Sequence, residues 1–481
     1  MLVAKSQIIG RVNMVKDDHK TDKSVGYGAK QNSPRASRLA PHKALVVGLG
    51  LTGMVCVRHL VARGYDVTVV DTRDQPPKLD ELRREFPRVA VHTGGLLAAI
   101  FSDPGLLVVS PGVSVKEPAI ARAVGAGVQA IGDIELFARE ATAPVIAITG
   151  ANGKSTVTAL TGEMCRRAGL QTAVGGNIGV PAPALLGDRE PDVYVLELSS
   201  FQLETTHSLN ARAATVLNIT PDHMDRYRDI GEYAAAKARV FRGNGTMVLN
   251  ADDSLVMRMR QSGRRTVSFS LGRPAEAQDY GLDEIRGETW LVHGTQPLMA
   301  VREVPLAGRH NLANVLAAMA LAETAGVVPE DACAAVREFK GLPHRTELVA
   351  ERHGVRWYDD SKGTNVGATV AALNGMTAPV ILIAGGDGKG QDFSELKPAC
   401  AQHARAVVLI GRDAPLIEAA LGNAFTARRA KDMHEAVRIA AGLAQSGDVV
   451  LLSPACASFD MFRNYEHRAE VFRAAVREVT A

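Results

Sequence analysis

Val145-Ile146-Ala147-Ile148-Thr149-Gly150-Ala151-Asn152-Gly153-Lys154-Ser155-Thr156 joins a β-branched apolar run to a glycine turn and then to a helical stretch. An apolar run of this length reads as a strand buried on both faces. The turn after it lets successive backbone N–H groups face an anion at a helix N-terminus. In that arrangement Gly150, Ala151, Asn152 and Gly153 cradle phosphates, Lys154 reaches the β- and γ-oxygens, and a hydroxyl of Ser155 or Thr156 faces Mg2+. Ile148 stands where the generic phosphate loop has its first glycine. The strand–loop–helix setting is nonetheless the one that phosphate binding requires, and it sets the fold class as α/β with a parallel sheet.

The same rhythm extends in both directions. Upstream, Ala44–Val47, Val67–Val70 and Leu106–Val109 read as strands, with helices over Met54–Ala62 and Ala119–Val124. Gly48-Leu49-Gly50-Leu51-Thr52-Gly53 follows the first strand, and Asp71 lies eighteen residues beyond Gly53. That pattern fits a pyrophosphate approached by a tight turn, with the acid on a ribose hydroxyl; a turn needed only for helix–strand packing is the plainer alternative. Downstream, strands are expected at Val193–Glu197, Ala213–Ile219, Val355–Asp359, Val380–Ile383, Ala406–Ile410 and Val449–Leu452. Joints near Arg139–Pro144 and Gly341–Arg345 give three α/β domains, over 43–140, 141–341 and 342–481.

Polar residues gather at the ends of these strands. Glu197 closes an apolar strand, where a carboxylate can hold the nucleotide's Mg2+ or simply face solvent. His223, in Asp222-His223-Met224-Asp225, is balanced between a structural and a ligating role. Asn311 and Asn314 share a helix face and either cap that helix or read an adenine edge. Tyr358–Asn365, Gly385–Lys389 and Ser453–Ser458 are three further polar loops; Cys456, with no base beside it, reads as a packed thiol.

Composition narrows the function. The 481 residues are 46% hydrophobic and 22% charged, ordinary for a globular protein, and no apolar window is long enough to span a bilayer. Residues 1–42 carry eight Lys/Arg against three Asp; the remaining 47 Lys/Arg face 49 Asp/Glu, so the body has no footprint for nucleic acid. The basic segment lacks apolar periodicity and reads as a disordered extension. Five scattered cysteines without a CxxC pair give no zinc site and suit a reducing, cytoplasmic setting.

From Lys43 onward the sequence resembles the Mur ligase family. The motifs that carry the resemblance are GLGLTG with Asp71-Thr72-Arg73, GDIELF (Gly132–Phe137), TGANGKST, GGNIG (Gly175–Gly179), LELSSFQLE (Leu196–Glu204) and DHMDRY (Asp222–Tyr227). AAK (Ala235–Lys237), GRHNLAN (Gly308–Asn314), GLPHR (Gly341–Arg345), DDSKGTN (Asp359–Asn365), GGDGK (Gly385–Lys389) and LLSPACASFD (Leu451–Asp460) continue it in order. The resemblance implies a Rossmann-like N-terminal domain, a central P-loop ATPase-like domain and a Rossmann-like C-terminal domain. It implies the branch that adds D-glutamate to UDP-N-acetylmuramoyl-L-alanine, through an acyl phosphate made from ATP. The first glycine turn then becomes a nucleotide-sugar site rather than a nicotinamide site.

Residue by residue, the resemblance places Leu51, Thr52, Asp71, Thr72, Arg73, Ser110, Pro111 and Gly112 on the UDP portion, and Asn177, Ser199 and Gln202 on the muramoyl portion. It puts Gly150–Thr156 on the ATP phosphates, with Lys154 catalytic, and Asn311, Asn314, Arg345, Asp360 and Lys362 on ATP across the domain gap. Ser155 and Glu197 are implied to hold one Mg2+, and His223 to stand between a second Mg2+ and the reacting carboxylate. Lys237 is implied to be carbamoylated and so to become a metal ligand. Lys362, Thr364, Lys389, Ser458 and Tyr465 are implied to surround D-glutamate. Gly363 replaces an expected Ala and Tyr465 an expected Phe; neither change removes a functional side chain. A monomer is expected, as is closure of the C-terminal domain on ligands. An NAD-dependent oxidoreductase leaves the phosphate loop unexplained, and a nucleotide-binding switch predicts no amino-acid-dependent phosphate release.

Overall fold

Three sheets follow one another along the chain. The first comprises β1 (Lys43–Val47), β2 (Asp66–Val70), β3 (Ala90–His92), β4 (Leu106–Val109) and β5 (Ala130–Ile131), all parallel in the order β3-β2-β1-β4-β5. Val46, Val47, Val69, Val70 and Leu107 are fully buried, as expected for strands covered on both faces. Strand order reverses between β1 and β4, so a crevice opens beyond their carboxyl ends, where the Gly48–Gly53 turn lies.

The second sheet holds β6 (Val145–Thr149), β7 (Thr172–Gly176), β8 (Val193–Glu197), β9 (Ala213–Val216), β10 (Thr246–Asn250), β11 (Thr266–Phe269), β12 (Tyr280–Ile285), β13 (Glu288–His293) and β14 (Gln296–Ala300). Its order is β14-β13-β12-β11-β10-β9-β6-β8-β7, so β6 lies between β8 and β9 with the phosphate loop at its carboxyl end. The antiparallel meander β12-β13-β14 was not foreseen from the sequence. Its signal is the two-residue turn Arg286-Gly287, with φ of 55° and 79°, the positive angles that a tight hairpin of matching twist requires.

The third sheet contains β15 (Glu347–Arg352), β16 (Val355–Asp359), β17 (Val380–Gly385), β18 (Ala404–Ile410), β19 (Ala427–Arg429) and β20 (Val449–Leu452), in the order β15-β16-β20-β17-β18-β19. The edge strand β15 is antiparallel and the rest are parallel. The loops after β16, β17 and β20 leave from neighbouring carboxyl ends and meet above the sheet; Asp387 and Ala457 bridge two of them.

In this computed structural model the described residues are 42–101, 105–187, 189–422, 425 and 427–480, so the expected disordered extension lies, apart from His42, outside them. His42–Ala481 form one unit. Expected strands at Leu106–Val109, Val145–Thr149, Val193–Glu197, Val355–Asp359 and Val449–Leu452 coincide with observed ones. The strand expected over Ala213–Ile219 ends at Val216. Beyond it the backbone turns to serve the phosphate loop: the Asn218 carbonyl accepts from Ala151 N–H, and Asn218 Oδ1 accepts from Asn152 N–H at 2.8 Å. Among the described residues no helix is long and apolar enough to cross a membrane.

Candidate active site

In the N-terminal cleft, Asp71 organises the walls. Its buried carboxylate accepts from Leu49 N–H at 2.7 Å, from Arg73 N–H at 2.9 Å, and from the Arg73 guanidinium at 2.9 and 2.7 Å. Burial alone raises its pKa, but the Arg73 fork and the two backbone donors outweigh that and hold it below the ordinary carboxylate value. Each oxygen already accepts two protein donors, so Asp71 shapes a ligand site chiefly through the turn and Arg73. Gly53 is required for this packing, because a Cβ there would lie 1.9 Å from the Gly48 carbonyl oxygen. The cleft, about 500 Å³, is lined by Leu51, Thr52, Asp71, Thr72, Arg73, Ser110, Pro111 and Gly112, and by Asn177 and Gln202 from the central domain. Ser199 meets it indirectly: its backbone N–H and hydroxyl donate to Gln202 Oε1 while Gln202 Nε2 donates to Asp133.

Around the phosphate loop, positive charge collects with few partners. Gly153, at φ 83°, caps the helix Lys154–Arg167. Lys154 Nζ donates to the Gly150 and Ala151 carbonyls at 3.0 and 2.8 Å. Lys237, 1% exposed, donates to the Gly150 carbonyl at 2.8 Å and sits 4.6 Å from the Tyr233 ring centroid. Burial first, then the neighbouring Lys154, drives the Lys237 amine well below its ordinary pKa. Glu197 Oε1 accepts from Asn177 Nδ2 at 2.7 Å, whereas its Oε2 is buried with no hydrogen-bond partner among the described residues. A buried carboxylate oxygen left open beside a phosphate loop suits a hard cation. His223, at φ 58°, has its pKa lowered by burial, with Asp222 opposing and Lys389, Lys154 and Lys237 adding to the fall.

The C-terminal domain closes this region from the other side. Arg345 Nη2 donates to Ser155 Oγ at 2.8 Å, and Lys389 Nζ to Asp222 Oδ1 at 3.0 Å. Asn365 and Asn152 exchange amide hydrogen bonds at 3.2 Å, and Asn365 also donates to Asp222. Between the domains lies a pocket of about 260 Å³, lined by Asn152, Gly153, Thr156, Asn311, Asn314, Arg345, Asp360 and Lys362 with Phe269, Leu306 and Leu342. Burial raises Asp360 to about 7, although it accepts from Ser453 Oγ at 2.7 Å; burial lowers Lys362 to about 8, and its Nζ stands 3.6 Å from the Tyr465 ring centroid.

The comparisons agree with one another. Residues 42–132 match the Mur ligase MurD-like N-terminal domain, 148–322 the Mur ligase middle domain, and 344–456 the Mur ligase glutamate ligase domain. The chain is 54% identical over 450 residues to the UDP-N-acetylmuramoylalanine--D-glutamate ligase of Nitrosococcus oceani, covering 93% of this chain and 99% of that one. It is 55% identical over 445 residues to the ligase of the same name from Methylobacillus flagellatus, covering 92% and 98%.

The chain belongs to the Mur ligase family.

Solved Mur ligases share its fold. MurF of Acinetobacter baumannii superposes with TM-score 0.59 at 18% identity over 90% of each chain. The UDP-N-acetylmuramate-alanine ligase MurC of Thermotoga maritima does so with TM-score 0.56 at 19% identity, over 91% of this chain and 99% of that one.

In this Mur ligase several of the expected ligand residues also have protein partners. The Ser155 hydroxyl accepts from Arg345, and Asn311 and Asn314 are paired to each other at 3.0 Å, with Asn311 also donating to the Ala307 carbonyl. Thr364 N–H donates to the Lys362 carbonyl, and Ser458 is buried, its carbonyl accepting from Met461 and Phe462. Cys456 is the packed thiol expected: buried, its pKa pushed up to about 12 by burial.

Sequence reasoning missed Asp222 and Asn365 as interdomain partners, and missed Arg468. Fully buried, Arg468 donates to Ser361 Oγ and to the Ser361 and Cys456 carbonyls, tying two site loops together. Its signal was a charge on the stripe it shares with Phe472, Ala475 and Val476, an apolar face on which an unpaired arginine would be costly. Positive backbone φ at non-glycine residues is likewise concentrated here, at His223, His344, Thr346, Lys389 and Ala455.

Proposed function

We propose that this Mur ligase joins the amine of D-glutamate to the L-alanyl carboxylate of UDP-N-acetylmuramoyl-L-alanine, converting ATP to ADP and phosphate. The observation that carries this is the meeting of three strand-end loop sets at one place. The N-terminal cleft opens toward Asn177 and Gln202, the phosphate loop lies beyond, and Lys389 reaches Asp222 from the C-terminal side. The names of the relatives at 54% and 55% identity support the choice of substrates. In this reading residues 43–140 bind the nucleotide sugar, 141–341 ATP, and 342–481 the amino acid and part of ATP. The enzyme works as a monomer in the cytoplasm, in keeping with five free, buried cysteines.

A carboxylate is a poor acyl donor until one of its oxygens becomes a leaving group. An oxygen of the alanyl carboxylate attacks the γ-phosphorus, the bond to ADP breaks, and an acyl phosphate forms. The neutral amine of D-glutamate then attacks the acyl carbon, phosphate leaves from the tetrahedral intermediate, and the nitrogen loses a proton. The protein's part is positioning and charge neutralisation. The phosphate-loop amides and Lys154 hold the transferring phosphate. Arg345, Asn311, Asn314, Asp360 and Lys362 surround the remainder of ATP in the interdomain pocket. His223, its pKa lowered by burial, faces the reacting carboxylate. Lys362, Thr364, Lys389, Ser458 and Tyr465 receive D-glutamate, whose two carboxylates call for cations and hydroxyls.

Ser155, Glu197, His223 and Lys237 would hold two Mg2+ ions, which supply countercharge to the phosphate oxygens. The open Glu197 Oε2 fits that role. Lys237 fits it after modification: the depressed amine attacks CO2, the C–N bond forms, and loss of a proton leaves an anionic carbamate with two oxygens. Phosphate release measured with UDP-N-acetylmuramoyl-L-alanine and each amino acid in turn tests the assignment. Turnover is expected with D-glutamate alone; equal turnover with D-alanine or with no amino acid overturns it.

A further inference from the structure

Arg226 lies three residues beyond His223, in the loop that follows β9, and its guanidinium crosses to the N-terminal domain. Nη1 donates to the Pro111 carbonyl at 3.0 Å and Nη2 to the Val113 carbonyl at 3.1 Å. Nη2 also donates to Glu204 at 3.3 Å, and the planar group stacks over Phe201, its central carbon 4.0 Å from the ring centroid. The Phe201 ring in turn meets His223 edge-on, with centroids 4.8 Å apart and the planes at 61°. Pro111 and Val113 form one wall of the N-terminal cleft. One side chain, 13% exposed, therefore touches both the wall of that cleft and the ring that supports His223.

We infer that Arg226 is a positioning residue that sets the cleft wall and the His223 ring together. A substrate anchored in the N-terminal cleft then presents its carboxylate in register with the phosphate loop. This rests on the reading proposed above. The cleft and the phosphate loop belong to different sheets, and a ligand that bridges them reacts only if both ends are placed accurately. A planar guanidinium suits the task because its rigid fork satisfies two carbonyls while its face stacks on an aromatic ring; an ammonium on a flexible stem does only one of these. Lys116 also bridges the two domains, pairing with Glu232 at 2.8 Å and reaching the Arg226 backbone carbonyl at 3.5 Å, but it is 55% exposed, does not line the cleft and leaves the Arg226 guanidinium untouched.

The test compares Arg226→Gln, Arg226→Lys and Lys116→Ala in steady-state kinetics with each substrate varied, together with calorimetric titration of UDP-N-acetylmuramoyl-L-alanine in the absence of ATP. Arg226→Gln is expected to raise KM for the nucleotide sugar about tenfold and lower kcat about tenfold, with KM for ATP unchanged and calorimetric affinity weakened in parallel. Arg226→Lys should recover little of the KM, since it cannot hold both carbonyls, and Lys116→Ala should match the unsubstituted enzyme. A mere strut would lower melting temperature and apparent kcat while leaving every KM in place; that pattern, or full recovery in Arg226→Lys, overturns the inference. Should Arg226→Gln fail to fold, Arg226→Lys carries the same comparison. If the unsubstituted protein does not bind the nucleotide sugar, the proposed function itself fails. If it binds and the Arg226 variants bind equally, only this inference fails.

Discussion

The N-terminal cleft and the gap between the central and C-terminal domains are built on opposite principles. Three of the cleft's lining segments come from strand ends of one domain, and its acid is neutralised locally: Asp71 and Arg73 are two residues apart and hold each other with backbone help. The gap is assembled from segments as far apart as Asn152 and Asn365, separated by 213 residues, and its charged groups are under-compensated. Burial raises Asp360 and lowers Lys362 there, and lowers Lys237 beside the phosphate loop. A pre-satisfied cleft suits a ligand that anchors; an under-satisfied gap suits ligands that bring their own charge and metal with them.

Removing the Lys237 amine beside the phosphate loop should have the largest effect. Lys237→Ala is expected to lower kcat about 10³-fold, with partial rescue by a short carboxylic acid that fills the vacancy. Mass spectrometry under bicarbonate should show about 44 Da, one CO2, added to the unsubstituted protein and absent from the variant. Near-normal turnover of Lys237→Ala at saturating Mg2+ would erase the distinction between the two regions.

Next comes the cleft. Arg73→Ala should raise KM for the nucleotide sugar about tenfold and leave kcat and the KM for ATP within about twofold, because the fork it removes belongs to the anchoring site alone. Comparable losses in all three substrates would mean that the cleft is not self-contained.

The interdomain contact can be wedged directly. A Cβ on Gly367 would lie 2.7 Å from Thr220 Oγ1. Gly367→Val should therefore push the C-terminal domain off the phosphate loop and raise KM for ATP and D-glutamate about fivefold, without changing calorimetric affinity for the nucleotide sugar. Small-angle scattering with and without ligands should show the variant failing to reach the compact ligand-bound profile.

The smallest expected effect is on stability. Asp360 holds its proton up to about pH 7 in the folded protein, whereas its ordinary value is 3.8. Between those values the native state binds more protons than the unfolded chain, so this group makes stability fall as pH rises through the window. Asp360→Asn should flatten that fall in melting temperature measured from about pH 4 to 7. An unchanged slope would show that burial does not strain this carboxyl.

The same contrast governs what the sequence made legible. Runs such as Val145–Thr149 and Val449–Leu452 announce buried parallel strands by local composition, and the glycine turn after the first announces a ligand loop. The N-terminal cleft was readable because its parts lie within contiguous motifs. Apart from what the family resemblance implied, the gap was readable only as separate polar loops, since Lys389 and Asp222 are 167 residues apart and nothing local pairs them. Likewise β9 stops at Val216 because Asn218 is needed by the phosphate loop, a tertiary demand that overrides strand propensity. The meander over Tyr280–Ala300 hid behind mixed polar and apolar residues at a sheet edge.

The central claim is that the alanyl carboxylate is phosphorylated at the phosphate loop before the amine attacks. Substrate carrying 18O in both carboxylate oxygens tests it in one turnover, with the released phosphate read by mass spectrometry. One 18O atom per phosphate is predicted, since the oxygen that bridges to phosphorus leaves with it. Phosphate free of 18O, released in step with amide formation, would contradict the account.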